Sequence, residues 1–395
     1  MPPTSPRMAI AIAGAGIGGL TAALCLARGG HEVTLYERAP ALREIGAGLQ
    51  ITPNGAAVLE VLGLGPALDA AAIRARAVCP TDGHSGRAIA RFALDGEAHP
   101  YRFMHRAALV ALLAEAAQAQ GVRLVTGRRV TGADPAAGRL DFADHESITA
   151  DLIVAADGLR SALRPLVADE GPRFTGQVAW RAMLHGVVAE PEARIWMLPK
   201  RHVVTYPLPG GRLNLVAVRE QPDWAPEGWD HADDPARLRA VFEDAASELR
   251  GLLDRVEEVR LWGLFRHPVP GRWHDGRLVL LGDAAHPTLP FLAQGANLAI
   301  EDGWVLAQAL SQELGTALGR YTAARAPRVR RAIAAAQANA RNYHLSGPAR
   351  RIAHAGLGAI GRLAPARFTA RMAWLHAHDV TREMPATMAG DGQDC

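Results

Sequence analysis

The sequence predicts an α/β fold: a parallel sheet covered by helices on both faces, an inserted antiparallel β-sheet, and a helical C-terminus. Three observations carry that expectation. Short, fully apolar runs each end in a sharp turn; a middle stretch holds β-rich, often alternating runs; and the chain reads mainly helical from Ile300 onward. Fully apolar strands are those buried on both faces, whereas alternation marks a strand with one wet face. The 395 residues suggest two or three domains at about 150 residues each. With 49% apolar and 21% charged residues, the chain has ample core and is not largely disordered.

Taken in order, Met1–Arg7 contains Pro and Ser and is expected to fray. From Met8 to Ala27 twenty uncharged residues follow Arg7, a pattern shared with signal peptides and membrane spans. Glycines and alanines between Ala13 and Gly19 break that run, so it divides into a buried strand, Met8–Ala13, and a helix. Ile17, Leu20 and Leu24 recur at helical spacing, Gly29-Gly30 stops the helix, and Val33–Tyr36 is a second strand. A short helix is expected over Gly55–Leu62 and a long one over Ala107–Gln118, with further buried strands at Leu152–Ala156 and Leu278–Leu281. Between these last two strands, and at Arg87–Leu94, lies different material. Arg87–Leu94, Ala179–Val188, Ala193–Leu198, His202–Leu208 and Arg212–Arg219 are β-rich runs punctuated by Gly, Pro and Asp. They predict the inserted sheet, with one wet face.

Gly14-Ala15-Gly16-Ile17-Gly18-Gly19 fits GxGxxG between the first strand and the first helix, and Glu37 follows Gly19 by eighteen residues. Gly14 makes the tight turn, Gly16 lets backbone approach a pyrophosphate, and Gly19 allows close helix–strand packing. The helix N-terminus offers amides and partial positive charge to phosphates, and Glu37 can accept both hydroxyls of an adenosine ribose. This is a Rossmann-like dinucleotide site, though the fingerprint does not choose between NAD and FAD. Gly356-Leu-Gly358-Ala-Ile-Gly361 matches the same pattern, with Asp379 at the same distance. No buried strand precedes it and Pro365 breaks the segment after it, so it is read as coincidence.

Two more motifs leave strand ends: Asp157-Gly158-Leu-Arg160-Ser161 after residue 156, and Gly282-Asp283-Ala-Ala-His286-Pro287 after residue 281. The second continues through Pro290-Phe291 to Gln294-Gly295-Ala296-Asn297. Asp283 is placed to bind the polyol of an extended cofactor, and Gly295-Ala296-Asn297 opens a helix whose free amides would stabilise negative charge on a reduced flavin.

Together, over residues 8–310, these motifs resemble the group A flavoprotein monooxygenases, a family of aromatic hydroxylases. The resemblance implies FAD as cofactor and a discontinuous FAD-binding domain over 1–75, 101–172 and 272–310. It also implies a substrate-binding β-sheet domain over 76–100 and 173–271, and a C-terminal helical segment over 311–395. It assigns Arg106 to the FAD phosphates and ribityl, and the Gly46-Ala47-Gly48-Leu-Gln50 loop to the side of the isoalloxazine. Val130 falls where the family binds adenine through backbone, Arg38 and Asp157 join Glu37 among the expected cofactor-binding residues, and Pro290 walls the flavin or substrate edge. It implies NAD(P)H and O2 as co-substrates, with oxygen reacting at flavin C4a and the hydroperoxide hydroxylating a small aromatic or heteroaromatic ring.

For the substrate, period-2 geometry points His202 and Tyr206 to one face, and the 6-hydroxynicotinate monooxygenases look similar there. Tyr206 would hydrogen-bond a phenol or ring carbonyl, and His202 would take a proton. Arg194, twelve residues before Tyr206, matches an arginine–tyrosine pair of the flavin-dependent urate hydroxylases, and its planar fork suits an anion. Gln50 and Phe291 stand where the hydroxynicotinate enzymes place histidines. Trp180-Arg181 is a further candidate pair in the roof, by position. The apolar stretch 289–293 keeps open a hydroxylase or epoxidase of a lipid-like quinone precursor or polyketide, and a non-catalytic dinucleotide-binding or lipid-carrier protein is a third reading.

Other chemistries find little support. A net charge of +3 is too small for a charge-driven nucleic-acid binder. Lys200 is the only lysine, which removes a P-loop lysine and any Schiff base not formed there. Cys25, Cys79 and Cys395 are far apart and odd in number, so the expected setting is reducing and cytoplasmic. His376-Ala-His378-Asp379 is read as a helix end rather than a metal site, and Arg325–Arg331 as a solvated helix face. The chain is expected to be a monomer or homodimer without a membrane span.

Overall fold

The computed structural model describes residues 6–42, 47–168, 170–221, 223, 231–311 and 314–383. Gly46, Met1–Ser5 and Cys395 lie outside them. The first sheet has six strands in the order His274–Asp275, Leu278–Leu280, Leu152–Ala155, Ala9–Ala13, Glu32–Tyr36 and Arg123–Val125. All pairs are parallel except the edge strand His274–Asp275. Leu152–Ala155 and Leu278–Leu280 are buried at every residue, as strands covered on both faces must be. Helices Ile17–Arg28, Arg106–Ala119 and Gly295–Leu310 share their core. Gly303 permits the closest approach there, since a Cβ on it would lie 2.8 Å from the Ala22 amide nitrogen.

Ligands bind beyond the carboxyl ends of strands in such sheets. Leu278–Leu280, Leu152–Ala155 and Ala9–Ala13 are adjacent and parallel, so the three turns that leave them emerge side by side. That adjacency gathers motifs separated by more than a hundred residues.

The second sheet has eight strands in the order Ala232–Asp233, Val259–Arg266, Arg173–His185, Arg212–Glu220, Arg201–Leu208, Glu192–Leu198, Ala77–Asp82 and Phe92–Ala93. It departs from expectation in three ways. Glu192–Leu198 pairs parallel with Ala77–Asp82. Arg87–Leu94 contributes only Phe92–Ala93 and one bridge, Thr81 to Ala88. Neither face is wet: Trp180, Leu184, Trp196 and Val203 pack with Leu238 and Leu249 of two short helices and with Phe242 between them, while the opposite face roofs the cleft. Both parities of Arg201–Leu208 are therefore largely buried.

The C-terminal segment forms helices Leu314–Tyr343, Gly347–Leu363, Pro365–His376 and Val380–Glu383. Arg325 corrects the reading of 325–331 as a solvated face, because it is fully buried and paired with Glu301 and Asp302. Arg328 also bonds Glu301. The acidic pair on helix Gly295–Leu310 demands counter-charge inside the core. Gly356–Gly361 lies within a helix, where a Cβ on Gly361 would come 2.6 Å from that of Ala90. Among the described residues no helix is long and apolar enough to cross a membrane.

Candidate active site

Gly16, Gly18, Arg106, Asp283 and Gly295 line one cleft, together with Gln50 of strand Gly48–Ile51 and with Arg181, His202 and Tyr206 of the roof. At one end Gly14 adopts φ +101°, a conformation that favours glycine, and a Cβ there would lie 2.4 Å from the Ala156 carbonyl oxygen. A Cβ on Gly19 would lie 2.0 Å from the Gly14 carbonyl oxygen, whereas one on Gly16 would meet nothing within 4 Å. Gly16 thus borders open space at the N-terminus of helix Ile17–Arg28, beside the buried Ala15 and Ile17.

Glu37 accepts hydrogen bonds from the Ala15 and Ala39 amides at 2.9 Å each, tying the glycine turn to the end of the second strand. The Arg128 amide donates to the Glu37 carbonyl at 2.8 Å, which draws the start of Val130–Asp134 towards this end of the cleft. Arg38 is exposed beside the half-buried Glu37. Asp157 turns inward: one carboxylate oxygen accepts from the Ala162 amide at 2.8 Å, and the other is buried without a hydrogen-bond partner. Its neighbours Ala156 and Gly158, not its side chain, line the cleft.

Asp283 is exposed into the cleft yet ringed by protein. That desolvation raises its carboxyl above the ordinary range, while the charges of His286 and Arg106 pull it down. The Arg106 amide donates to the Ala47 carbonyl at 2.9 Å, joining the arginine to the loop that continues as strand Gly48–Ile51. Gly295 and Ala296 line the cleft at the start of a sixteen-residue helix, with Pro290 close by. The Asn297 side chain is spent on positioning: it accepts from the Thr52 amide at 3.0 Å and donates to the Gln50 and Ala293 carbonyls. Two helix N-termini, one arginine and one carboxylate along one cleft fit a long dinucleotide that is anionic at its centre and carries a polyol.

The roof arises from strand register. Arg181 pairs with Val216, and Val216 with Val204, so these three form one row on one face of the sheet. His202 and Tyr206 flank Val204 on that face, and both line the cleft as the alternation predicts. Arg181 lies over the Trp262 ring, 5.0 Å from its centroid. Burial raises the Tyr206 phenol, against the charge of Arg181 and a hydrogen bond with Gln50, so Tyr206 stays protonated. Burial and the charge of His344 hold His202 well below the ordinary histidine range.

Arg194 does not join them. It pairs with Thr205 across the sheet, so it shares a face with Thr205 and points away from Tyr206. Its guanidinium bonds Glu248 of helix Ser247–Asp254. Sequence reasoning also missed several residues. The Asn214 side chain accepts from the Gly48 amide at 2.9 Å, and the Tyr101 hydroxyl donates to Gln50. His344 and Glu220 continue from His202. No spacing signal points to any of these four, and Arg181 is marked in the sequence by its position alone. His376 ends its helix, while His378 pairs with Glu383 and Asp379 with Arg382; among the described residues no cluster could hold a metal ion.

Comparison with known proteins matches residues 7–336 to the family described as FAD binding domain. The chain is 38% identical over 362 residues to a 3-amino-4-hydroxybenzoate 2-monooxygenase of Streptomyces platensis, covering 88% of this chain and 91% of that protein. It is 33% identical to a 3-hydroxybenzoate 6-hydroxylase of Polaromonas naphthalenivorans, covering 94% and 96%. Among solved structures, Klebsiella pneumoniae HpxO complexed with FAD and uric acid superposes with a TM-score of 0.79 at 27% identity, covering 92% of this chain and 95% of that one.

Proposed function

The chain belongs to the FAD binding domain family, and from that membership we propose that it hydroxylates a phenolic aromatic acid whose carboxylate is held by Arg181. It is an FAD-dependent monooxygenase of small aromatic or heteroaromatic rings. Bound FAD supplies the redox chemistry, taking hydride from NAD(P)H and activating O2 for transfer to the ring. The protein binds, orients and shields the reactants.

The observation that carries the substrate reading is the row Arg181–Val216–Val204 flanked by His202 and Tyr206. The valines offer an apolar bed for a ring, the guanidinium suits a carboxylate through its planar fork, and the phenol and imidazole address a ring hydroxyl. Tyr206 donates to the phenolic oxygen and His202 takes its proton, with Gln50 holding Tyr206 in place. The benzoate substrates of two relatives agree with this reading. The apolar stretch that suggested a lipid-like substrate is largely core: Leu289 and Phe291 pack with Ala179, Val218 and Trp262. Cys25 and Cys79, both buried and free, suit a reducing cytoplasm.

The test is NAD(P)H oxidation and oxygen uptake with a panel of hydroxybenzoates, their methyl esters, hydroxynicotinate, urate and a prenylated phenol. Hydroxybenzoates should stimulate both and yield hydroxylated product, and their methyl esters should do so only at much higher concentration. Equal stimulation by ester and acid, or stimulation by the prenylated phenol alone, overturns the assignment of Arg181.

At the cofactor, Asp283 receives the ribityl hydroxyls and Arg106 the diphosphate. Asp283→Ala should weaken FAD about tenfold or more, as losing a hydrogen bond to a charged group costs about 1.5–3 kcal/mol. Fluorescence titration of the apoprotein with FAD measures this, and unchanged affinity removes Asp283 from the site.

A further inference from the structure

His202 opens a chain of hydrogen bonds that leaves the cleft. Its Nδ1 lies 2.8 Å from His344 Nε2, and His344 Nδ1 lies 3.0 Å from Glu220 Oε1. Both histidines are buried, whereas the Glu220 side chain is 43% exposed. Three separate elements meet here: strand Arg201–Leu208, the residue following helix Leu314–Tyr343, and the end of strand Arg212–Glu220. Backbone bonds clamp them together, for the Lys200 amide donates to the His344 carbonyl at 3.0 Å and the Glu220 amide to the Lys200 carbonyl at 2.9 Å.

The carboxylate fixes the tautomers. Glu220 can only accept, so His344 carries its hydrogen on Nδ1 and presents a lone pair at Nε2. His202 must then donate from Nδ1, which leaves its Nε2 as an acceptor on the side chain that lines the cleft. We infer that His202, His344 and Glu220 form a proton relay that carries the phenolic proton of the bound substrate to solvent. The inference rests on His202 as the base proposed above. In one direction the phenol O–H breaks and His202 Nε2–H forms, His202 Nδ1–H passes to His344 Nε2, and His344 Nδ1–H passes to Glu220, which releases it to water. The substrate is left as the phenolate, whose electron-rich ring is the better oxygen acceptor. On rearomatisation the ring oxygen takes a proton back from His202 Nε2, His344 and Glu220 resupply it from water in the reverse direction, and the ring C–H proton departs to water, so both tautomers are restored.

The surroundings agree. Burial and the charge of His344 weaken proton binding at His202, so His202 passes a proton on rather than keeping it. Burial lowers His344, and Glu220 opposes that shift. The other polar groups about the pair are Tyr343, whose ring centroid lies 5.2 Å from that of His202, and Arg181 and Tyr206 across the cleft.

The relay is tested on oxidised holoenzyme without nicotinamide, using 4-hydroxy-3-nitrobenzoate, a phenolic acid that colours on ionising. Stopped-flow mixing tracks nitrophenolate formation on the enzyme. His344→Gln and Glu220→Gln should bind the probe within about threefold of wild type but ionise it at least about tenfold more slowly, with added imidazole restoring part of the rate. Wild-type rates in either variant overturn the relay, and the exposed Glu220 decides should His344→Gln fail to fold. Slowing in His202→Gln alone keeps His202 as base and removes the exit path; wild-type rates in all three remove the base as well. A wild-type enzyme that does not bind the probe overturns the substrate reading, and the relay with it.

Discussion

Replacing Arg181 with methionine is expected to raise KM for the aromatic acid about 10- to 100-fold with flavin content unchanged. A hydrogen bond to a charged group is worth about 1.5–3 kcal/mol, and the guanidinium offers two in parallel to one carboxylate. Methionine keeps much of the arginine's apolar stem and removes the guanidinium that lies over the Trp262 ring, so the loss reports charge and fork rather than a hole in the roof. Because the carboxylate is bound equally before and during reaction at a remote ring carbon, the change should fall on KM more than on kcat. Arg181→Lys should recover only part of the affinity, since an ammonium has the charge without the planar fork. The methyl ester of the same acid should lose nothing in Arg181→Met. Steady-state kinetics on acid and ester decide the matter: an equal loss for both places the carboxylate elsewhere.

How far these residues could be read in advance depended on whether their geometry is local. Gly14, Gly16 and Gly19 were legible because one strand, one turn and one helix contain the whole device. Asp283 and Gly295 were legible because each leaves a strand end or opens a helix within a few residues. The face shared by His202 and Tyr206 was legible because strand alternation is strictly local. Arg194 was misjudged for a related reason: its orientation is set by pairing with Thr205 on the next strand, and a hairpin register cannot be read from spacing alone. The bond from His202 to His344 spans 142 residues and that from His344 to Glu220 spans 124, so no window along the sequence contains them. Similarly, the wet face expected of the inserted sheet was lost because two helices and the parallel domain close on opposite sides of it, a fact of docking rather than of alternation.

Arg325 is where charge patterning was least informative and where the largest stability effect is expected. Glu301, Asp302 and Arg325 are all fully buried, and Asp302 also accepts from the Gly282 amide at 3.1 Å and lies 2.6 Å from His286 Nε2. The network therefore holds the turn that carries Asp283 into the cleft. Arg325→Met would leave Glu301 with Arg328 as its remaining cation and Asp302 with His286 and the Gly282 amide. Breaking a buried pair costs about 3–5 kcal/mol, so Tm should fall by about 4–6 °C, and FAD retention should fall as the turn at 282 loosens. The pH dependence has a definite sign. Burial by itself would raise the Glu301 carboxyl, but Arg325, Arg328 and Asn54 outweigh it and bring it from 4.5 to about 2. A depressed carboxyl contributes its full stability above the unfolded value and loses it as pH falls towards the folded one. Wild-type Tm should accordingly drop between about pH 4.5 and pH 2. In Arg325→Met the buried carboxyl protonates at higher pH, so the difference between variant and wild type should narrow across that window. Calorimetry of both proteins at several pH values measures it, and a Tm gap that widens on acidification would mean that Arg325 does not hold Glu301 ionised.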